Sequence, residues 1–212
     1  MTKDNPTVAI ADYGIGNLGS LVNALQHQGA RVVVTADGKE LVEADGMVLP
    51  GNGAFAACKT AMENLSIPRW VGQRVAGGRP VLAVCIGHQM LFEASTEFGA
   101  HEGMGEWPGT AEKLRSKTVP HLGWSEVRPA HDSHLFAGIE DERFYFAHSY
   151  AVLDWNFTQE NESMFPPQVS WASYGGDFIA AVENGPLTGV QFHPELSGTA
   201  GLTLLNNWLG TL

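Results

Sequence analysis

The sequence predicts an α/β fold: an open, mostly parallel sheet with flanking helices, extended by antiparallel additions in the C-terminal half. Two patterns carry this expectation. The first half alternates short apolar runs with helix-like segments, and from about Thr110 onward strand-like runs follow one another across short polar turns. A third pattern places the chemistry. Loops rich in glycine and polar residues follow several apolar runs, where ligands bind in open α/β sheets.

The runs "TVAIAD" (7–12), "RVVVT" (31–35), "GMVLP" (46–50) and "PVLAVC" (80–85) read as strands buried on both faces. Between them, residues 17–28 read as a helix opened by Asn17 and closed by Gly29; residues 54–65 and 67–76 follow, the latter ended by Gly77 and Gly78. Such units join by right-handed crossovers into a parallel sheet. In the second half "TAEKLR", "SEVRP", "RFYFAHSYAV", "QVSWASY", "FIAAVEN" and "LTGVQFHP" read as strands added to one sheet edge. A last helix, about 199–209, places Leu202, Leu205 and Trp208 at helical spacing. No composition shift or linker divides the chain, so residues 1–212 read as one domain.

Bulk properties narrow the function. A 212-residue domain buries roughly 70% of the surface of its unfolded chain and needs no covalent staples. The net charge of −11, with no Lys/Arg cluster, argues against a nucleic-acid partner. Two cysteines, no basic-then-apolar leader and no apolar run near the roughly 20 residues that span a bilayer leave a soluble, cytoplasmic protein as the expectation.

Gly14-Ile15-Gly16-Asn17-Leu18-Gly19 matches GxGxxG after a strand, and Asp37 lies where a ribose-binding carboxylate would. A dinucleotide site is therefore one reading, although Asp12 and Tyr13 interrupt the entry to the first glycine and a carboxylate sits badly beside pyrophosphate. "LPGNGAF" puts Gly51 and Gly53 around Asn52, which is either an ordinary turn or a loop whose amides face a ligand.

Cys85 stands at a strand-to-helix turn, with Gly87 two residues on. That position exposes a nucleophile above the sheet, where a helix N-terminus favours the thiolate and the next amide can face an oxyanion. Cys58, inside "AFAACKTAMENL", fits a buried apolar role instead. A thiol nucleophile needs a base. In an extended "FHPEL" segment His193 and Glu195 share a face, so the carboxylate can orient the imidazole. His88 is nearer in sequence but has no such carboxylate and reads as a polar residue near the pocket mouth. Among the other histidines, His131 and His134 lack enough neighbouring ligands for a metal, and His27 and His101 read as surface residues. His121 in "PHLGW" and His148 in "FAHSY" sit in compact aromatic clusters that an ordinary loop does not require.

Taken together, "DYGIGNL", "LPGNGAF", "VCIGHQMLF", "PHLGW", "FYFAHSY" and "GVQFHPELSG" resemble the class I glutamine amidotransferases in order and spacing across nearly the whole chain. Within that family they are most similar to the glutaminases that serve imidazole glycerol phosphate synthase in histidine biosynthesis. The resemblance implies a flavodoxin-like sheet and the hydrolysis of L-glutamine to glutamate and ammonia through a thioester. Carried over by position, it makes Cys85 the nucleophile, His193 the acid–base and Glu195 its orienting partner. It places oxyanion donors at Ile86 and in the Asn52-Gly53 loop, and glutamine contacts at Gln89, Glu97, His148, Ser149 and Tyr150. It also implies a heterodimer with a (β/α)₈-barrel cyclase, met by Asn17, Trp124 and Leu196, with no cofactor and no metal.

The chain departs from the family's usual residues at Asn52 (commonly Val), His88 (Met), Ser125 (Asn) and Leu196 (Lys). "GHQ" is more typical of the glutaminases of anthranilate and related synthases, so that assignment also stays open. The departures lead to the expectation of an active glutaminase whose coupling to its partner differs from the family norm.

Overall fold

A computed structural model of the chain describes residues 5–16, 18–156 and 166–212; Asn17, expected as a helix cap and interface residue, lies outside the described residues. In chain order the elements begin β1 (Thr7–Ala11), α1 (Gly19–His27), β2 (Arg31–Thr35), α2 (Gly38–Glu43), β3 (Gly46–Leu49), α3 (Phe55–Asn64), α4 (Ile67–Ala76), β4 (Val81–Val84) and α5 (Ile86–Met90). Then come β5 (Phe92–Ser95), β6 (His101–Glu102), β7 (Trp107–Lys113), β8 (His121–Glu126), β9 (Arg143–His148) and β10 (Tyr150–Val152). The chain closes with β11 (Gln168–Ser173), β12 (Asp177–Asn184), β13 (Leu187–Val190), a 3₁₀ turn at Pro194–Leu196 and α6 (Gly198–Leu209).

Among the described residues seven strands form the central sheet, in the order β11-β12-β13-β4-β3-β1-β2. The five from β13 to β2 run parallel, with Val190 opposite Val84, Val48 opposite Leu82 and Val8 opposite Val32; β12 and β11 extend the sheet antiparallel. Alternate residues of each inner strand go to opposite faces. Val8, Ile10, Val48, Leu82 and Val84 pack with α1 and α6, through Leu21, Leu25, Leu204 and Trp208. Ala9, Met47, Leu49, Val81 and Ala83 pack with α2 to α5, through Leu41, Phe55, Met62, Val71 and Met90. These strands are apolar throughout because each face meets a helix layer.

β2 does not fit the expectation of burial on both faces. It is the sheet edge, with none of its residues buried, and Arg31 reaches across to Thr7 Oγ1 at 3.0 Å from Nη2. The second half is also not one edge extension. β10, β7, β5 and β6 form a separate four-stranded sheet, and among the described residues β8 pairs with β9 alone, in a ribbon. The helix that follows Cys85 is short, ending at Met90, because Ala94 and Ser95 pair with Thr110 and Ala111 of β7 and tertiary pairing takes over from the helical period.

α2 had no sequence signal recognised above. Its cap is Asp37, whose Oδ1 accepts from the amides of Lys39 at 2.7 Å and Glu40 at 3.4 Å. The other end of α2 is closed by Arg74, a fully buried side chain from α4. Its Nη1 donates to the carbonyls of Leu41, Val42 and Ala44 at 2.8–3.0 Å, and its Nη2 to those of Asp45 and Pro80 at 2.8 Å. Helix carbonyls left open at a C-terminus need such donors. Burial lowers this guanidinium only to about 10, so it stays charged at neutral pH. Arg74→Met is expected to lower unfolding stability by about 3 kcal/mol, because several buried carbonyls lose their partner at once; urea denaturation measures it, and an unchanged midpoint would contradict the role.

The strand order places a topological switch between β1 and β3, whose neighbours lie on opposite sides. Crevices at such points open beyond the carboxyl ends of the strands. The loops after β1, β3, β4 and β13 meet there.

Candidate active site

Cys85 follows β4 with φ 53° and ψ −109°, a left-handed backbone rare for a residue with a side chain. Its amide donates to Val190 O at 2.8 Å, which ties the elbow to the end of β13. Two glycines make the turn possible. A Cβ on Gly87 would lie 2.3 Å from Leu49 O, and one on Gly51 would lie 2.4 Å from Gly87 N and 2.7 Å from Ile86 N. The loops after β3 and β4 therefore touch backbone to backbone beside the Ile86 amide, in the first turn of α5. Next along, the Asn52 carbonyl accepts from Cys58 Sγ at 3.6 Å, so the planar trans peptide points the Gly53 N–H away from α3. Gly53 itself has φ 107°.

Opposite Cys85 stands His193. Its amide donates to Tyr145 O at 2.9 Å, and its Nδ1 lies 2.8 Å from Glu195 Oε1. The segment is not extended as expected: Pro194–Leu196 is a 3₁₀ turn, which still folds the carboxylate back onto the ring. With Nδ1 so occupied, Nε2 is left to hydrogen-bond Cys85. Burial pulls the His193 pKa down, but the hydrogen bonds to Cys85 and Glu195 and their charges outweigh it and raise the pKa to about 10. The imidazolium is thus held at neutral pH. Cys58 differs: burial, with Cys85 and Glu97 nearby, pushes its thiol up to about 11.

A cavity of about 240 Å³ opens on Cys85 and is lined by Asn52, Gly53, Ile86, Gln89, Glu97, His148, Ser149 and Tyr150 among others. Every residue the sequence suggested for glutamine contact or oxyanion donation borders it. Gln89 donates from Nε2 to Tyr150 O at 2.8 Å and to Gln191 Oε1 at 3.0 Å, leaving its own buried Oε1 without a partner among the described residues. Glu97 accepts from Phe55 N at 2.6 Å, capping α3 from a distant loop. A second cavity, about 330 Å³, lies on the far side of the Asn52 loop, between Ile15, Pro50, Tyr145, His193 and Leu196. A buried thiol beside a carboxylate-oriented imidazole and the amides of the adjoining turn is equipped for acyl transfer.

Comparison with known proteins agrees with this chemistry. The family model for glutamine amidotransferase class-I matches residues 9–210. The chain belongs to the class-I glutamine amidotransferase family. It is 53% identical over 207 residues to the imidazole glycerol phosphate synthase subunit HisH of Renibacterium salmoninarum, covering 97% of this chain and 94% of that one. The protein of the same name from Thermobifida fusca is 49% identical over 98% of this amidotransferase and 99% of its own length. The fold is shared more widely. A crystal structure of a glutamine amidotransferase superposes with a TM-score of 0.71 at 17% identity, over 97% of this chain and 99% of that one.

Among the four departures, His88 is the most altered by the structure. It is not at the pocket mouth. Its ring is fully enclosed, edge-on to Phe92 with centroids 5.1 Å apart and 5.9 Å from Trp107, and neither ring nitrogen has a partner among the described residues. Burial, with His148 a smaller cause, lowers its pKa to about 3. It fits because β13 has Gly189 opposite, where a Cβ would fall 2.4 Å from Nδ1. The histidine nearest in sequence to Cys85 is therefore core packing in this amidotransferase.

Ser125 begins a row of polar groups. Its Oγ lies 2.9 Å from His121 Nε2, His121 Nδ1 lies 3.2 Å from His148 Nε2, and His148 Nδ1 lies 3.0 Å from Tyr150 O. The carbonyl can only accept, so each tautomer follows in turn: His148 donates from Nδ1, His121 from Nδ1, and Ser125 from its hydroxyl. Burial lowers both histidines, to about 4 for His121 and about 3 for His148, which keeps them neutral. The clusters around His121 and His148 were visible in the sequence; their connection was not.

Trp124 (50% exposed) and Leu196 (45%) are open apolar side chains, and Leu122 (65%), unremarked in the sequence, shares the outer face of β8 with Trp124. Trp124 packs edge-on to Tyr145 with centroids 6.0 Å apart. The GxGxxG loop serves this site too. Asp12 accepts from Gly14 N at 2.9 Å, Gly16 approaches Asn52, and the would-be ribose carboxylate Asp37 is spent on capping α2. His131 pairs with its neighbour Asp132, while His101 is half-buried and stacked on Phe55.

Proposed function

We propose that this amidotransferase is the glutaminase subunit of an imidazole glycerol phosphate synthase, acting as one domain over residues 1–212 in the cytoplasm, with Cys85, His193 and Glu195 as its triad. The observation that carries the reading is the His193 ring, held by Glu195 at 2.8 Å through Nδ1 and close enough to Cys85 for the two to interact electrostatically. The names of the relatives support the pathway.

Glutamine enters the Cys85 cavity with its side-chain carbonyl toward Ile86 N–H and the Asn52-Gly53 loop. The Cys85 thiolate adds to the amide carbon, and the carbonyl electron pair moves to oxygen, where those amides stabilise it. As the C–N bond breaks, the His193 imidazolium gives its proton to the leaving nitrogen, releasing ammonia and a thioester. Neutral His193 then takes a proton from water, hydroxide adds to the thioester, and loss of the thiolate yields glutamate. Glu195 keeps the ring oriented throughout. Gln89, Glu97, His148, Ser149 and Tyr150 line the pocket that receives the substrate.

The ammonia is passed to a (β/α)₈-barrel cyclase, docked over the apolar rim of Leu122, Trp124 and Leu196 beside the second cavity; Asn17 belongs to the same expectation. Glutamate release should rise at least about fivefold when the cyclase is added. Release unchanged by cyclase at saturating concentration would remove the histidine-pathway assignment while leaving the amidotransferase chemistry intact.

A further inference from the structure

Gln191 has no part in the mechanism above, yet it is fully buried within an otherwise apolar run, where a leucine would cost less. Its backbone is pinned by donation to Ala180 O at 2.8 Å, so its side chain has a fixed root. From there Nε2 lies 3.8 Å from Cys85 Sγ, and Oε1 lies 3.0 Å from Gln89 Nε2. We propose that Gln191 is a catalytic residue whose side-chain amide donates a hydrogen bond to the Cys85 thiolate, in an orientation dictated by the Tyr150 carbonyl. The inference rests on the assignment of Cys85 as nucleophile.

The two ends of a glutamine amide are alike in shape, so the hydrogen-bond network must say which end faces the sulfur. Here it does. Tyr150 O has no proton, so the Gln89 atom 2.8 Å away is its NH₂ group. That nitrogen has one further proton, and it points at Gln191, whose facing atom is therefore the oxygen. The opposite end of Gln191, toward Cys85, is its NH₂. One backbone carbonyl thus sets two amide orientations in series. The second lone pair of that carbonyl is taken by His148 Nδ1, which leaves Gln89 no competing arrangement there. A fixed donor next to sulfur favours the thiolate over the thiol, since only the charged form gains strongly from it. After acylation the same N–H meets a thioester sulfur, and on hydrolysis it meets the returning thiolate.

The test is the pH dependence of Cys85 alkylation by iodoacetamide in the intact chain, followed on the Cys85 peptide by mass spectrometry without glutamine. Gln191→Met keeps the volume and removes the donor. Its alkylation midpoint should rise by about one pH unit, and kcat/KM for glutamine should fall about tenfold with KM little changed. Gln89→Met frees the Gln191 amide to turn and should raise the same midpoint; it carries the test if Gln191→Met does not fold. An unchanged midpoint in the folded variant overturns the proposal, whatever happens to stability, because mere core packing would not move it. Cys85→Ala separates the two failures. Activity surviving that change would sink the nucleophile itself, whereas an inactive Cys85→Ala with an unmoved midpoint would sink only the role of Gln191.

Discussion

Cys85→Ala is expected to lower kcat for glutamine hydrolysis by at least about 10⁴-fold, because the other cysteine cannot replace its thiol. Cys58 is fully buried, its thiol is pushed to about 11, and its sulfur is committed to the Asn52 carbonyl. His88 is enclosed by Phe92 and Trp107 and is neutral. What remains is binding and oxyanion stabilisation without a covalent step. Cys85 is buried but borders the cavity, and the change removes only its sulfur, so the alanine variant should still fold. Glutamate release by the purified variant gives the answer, and a rate within tenfold of the parent would refute the covalent mechanism.

Glu195→Gln should cost about 10³-fold in kcat and move the pH profile as well. In the parent protein His193 is raised from 6.5 to about 10, so the proton destined for ammonia stays in place across neutral pH and is lost only as pH rises toward 10. The glutamine side chain keeps the shape and an oxygen that can accept from Nδ1, but removes the negative charge that helps raise the ring. His193 should then lose its proton at lower pH, and the alkaline limb of kcat/KM should shift downward. Stability follows the same sign. A folded pKa above the unfolded value contributes fully below about pH 6.5 and is lost as pH climbs to 10, so parent and variant should differ most on the acid side of that window. A limb that stays where it was would show that Glu195 does not set the histidine's charge.

Much of this was legible in the sequence, for physical reasons that differ from place to place. β1, β3 and β4 were readable because strands covered on both faces leave no room for polar residues. The turn at Cys85 was readable because Gly87 marks it, and the structure supplies the reason: a Cβ there would strike Leu49 O. α2 was missed because its pattern is short and its stability comes from both ends, from Asp37 and from Arg74, the second of these thirty residues away. The turn at His193 was read as strand, since Pro194 suits either. His88 was misjudged because its environment is made by Phe92, Trp107 and Gly189, which only folding brings together. Gln191 did leave a signal: a lone amide inside an apolar strand end, with no surface to reach.

The row from Ser125 to the Tyr150 carbonyl has a property that its individual bonds do not reveal. Every member donates in the same direction and the last acceptor is a peptide oxygen, which cannot hold a proton. The row is therefore unable to carry charge from one end to the other, however well its members are aligned. What it can carry is position: a small displacement of the β8–β9 ribbon would be felt at the one carbonyl that also holds Gln89. On the proposed mechanism two histidines in series act as struts, and the task of moving protons falls to a third, His193.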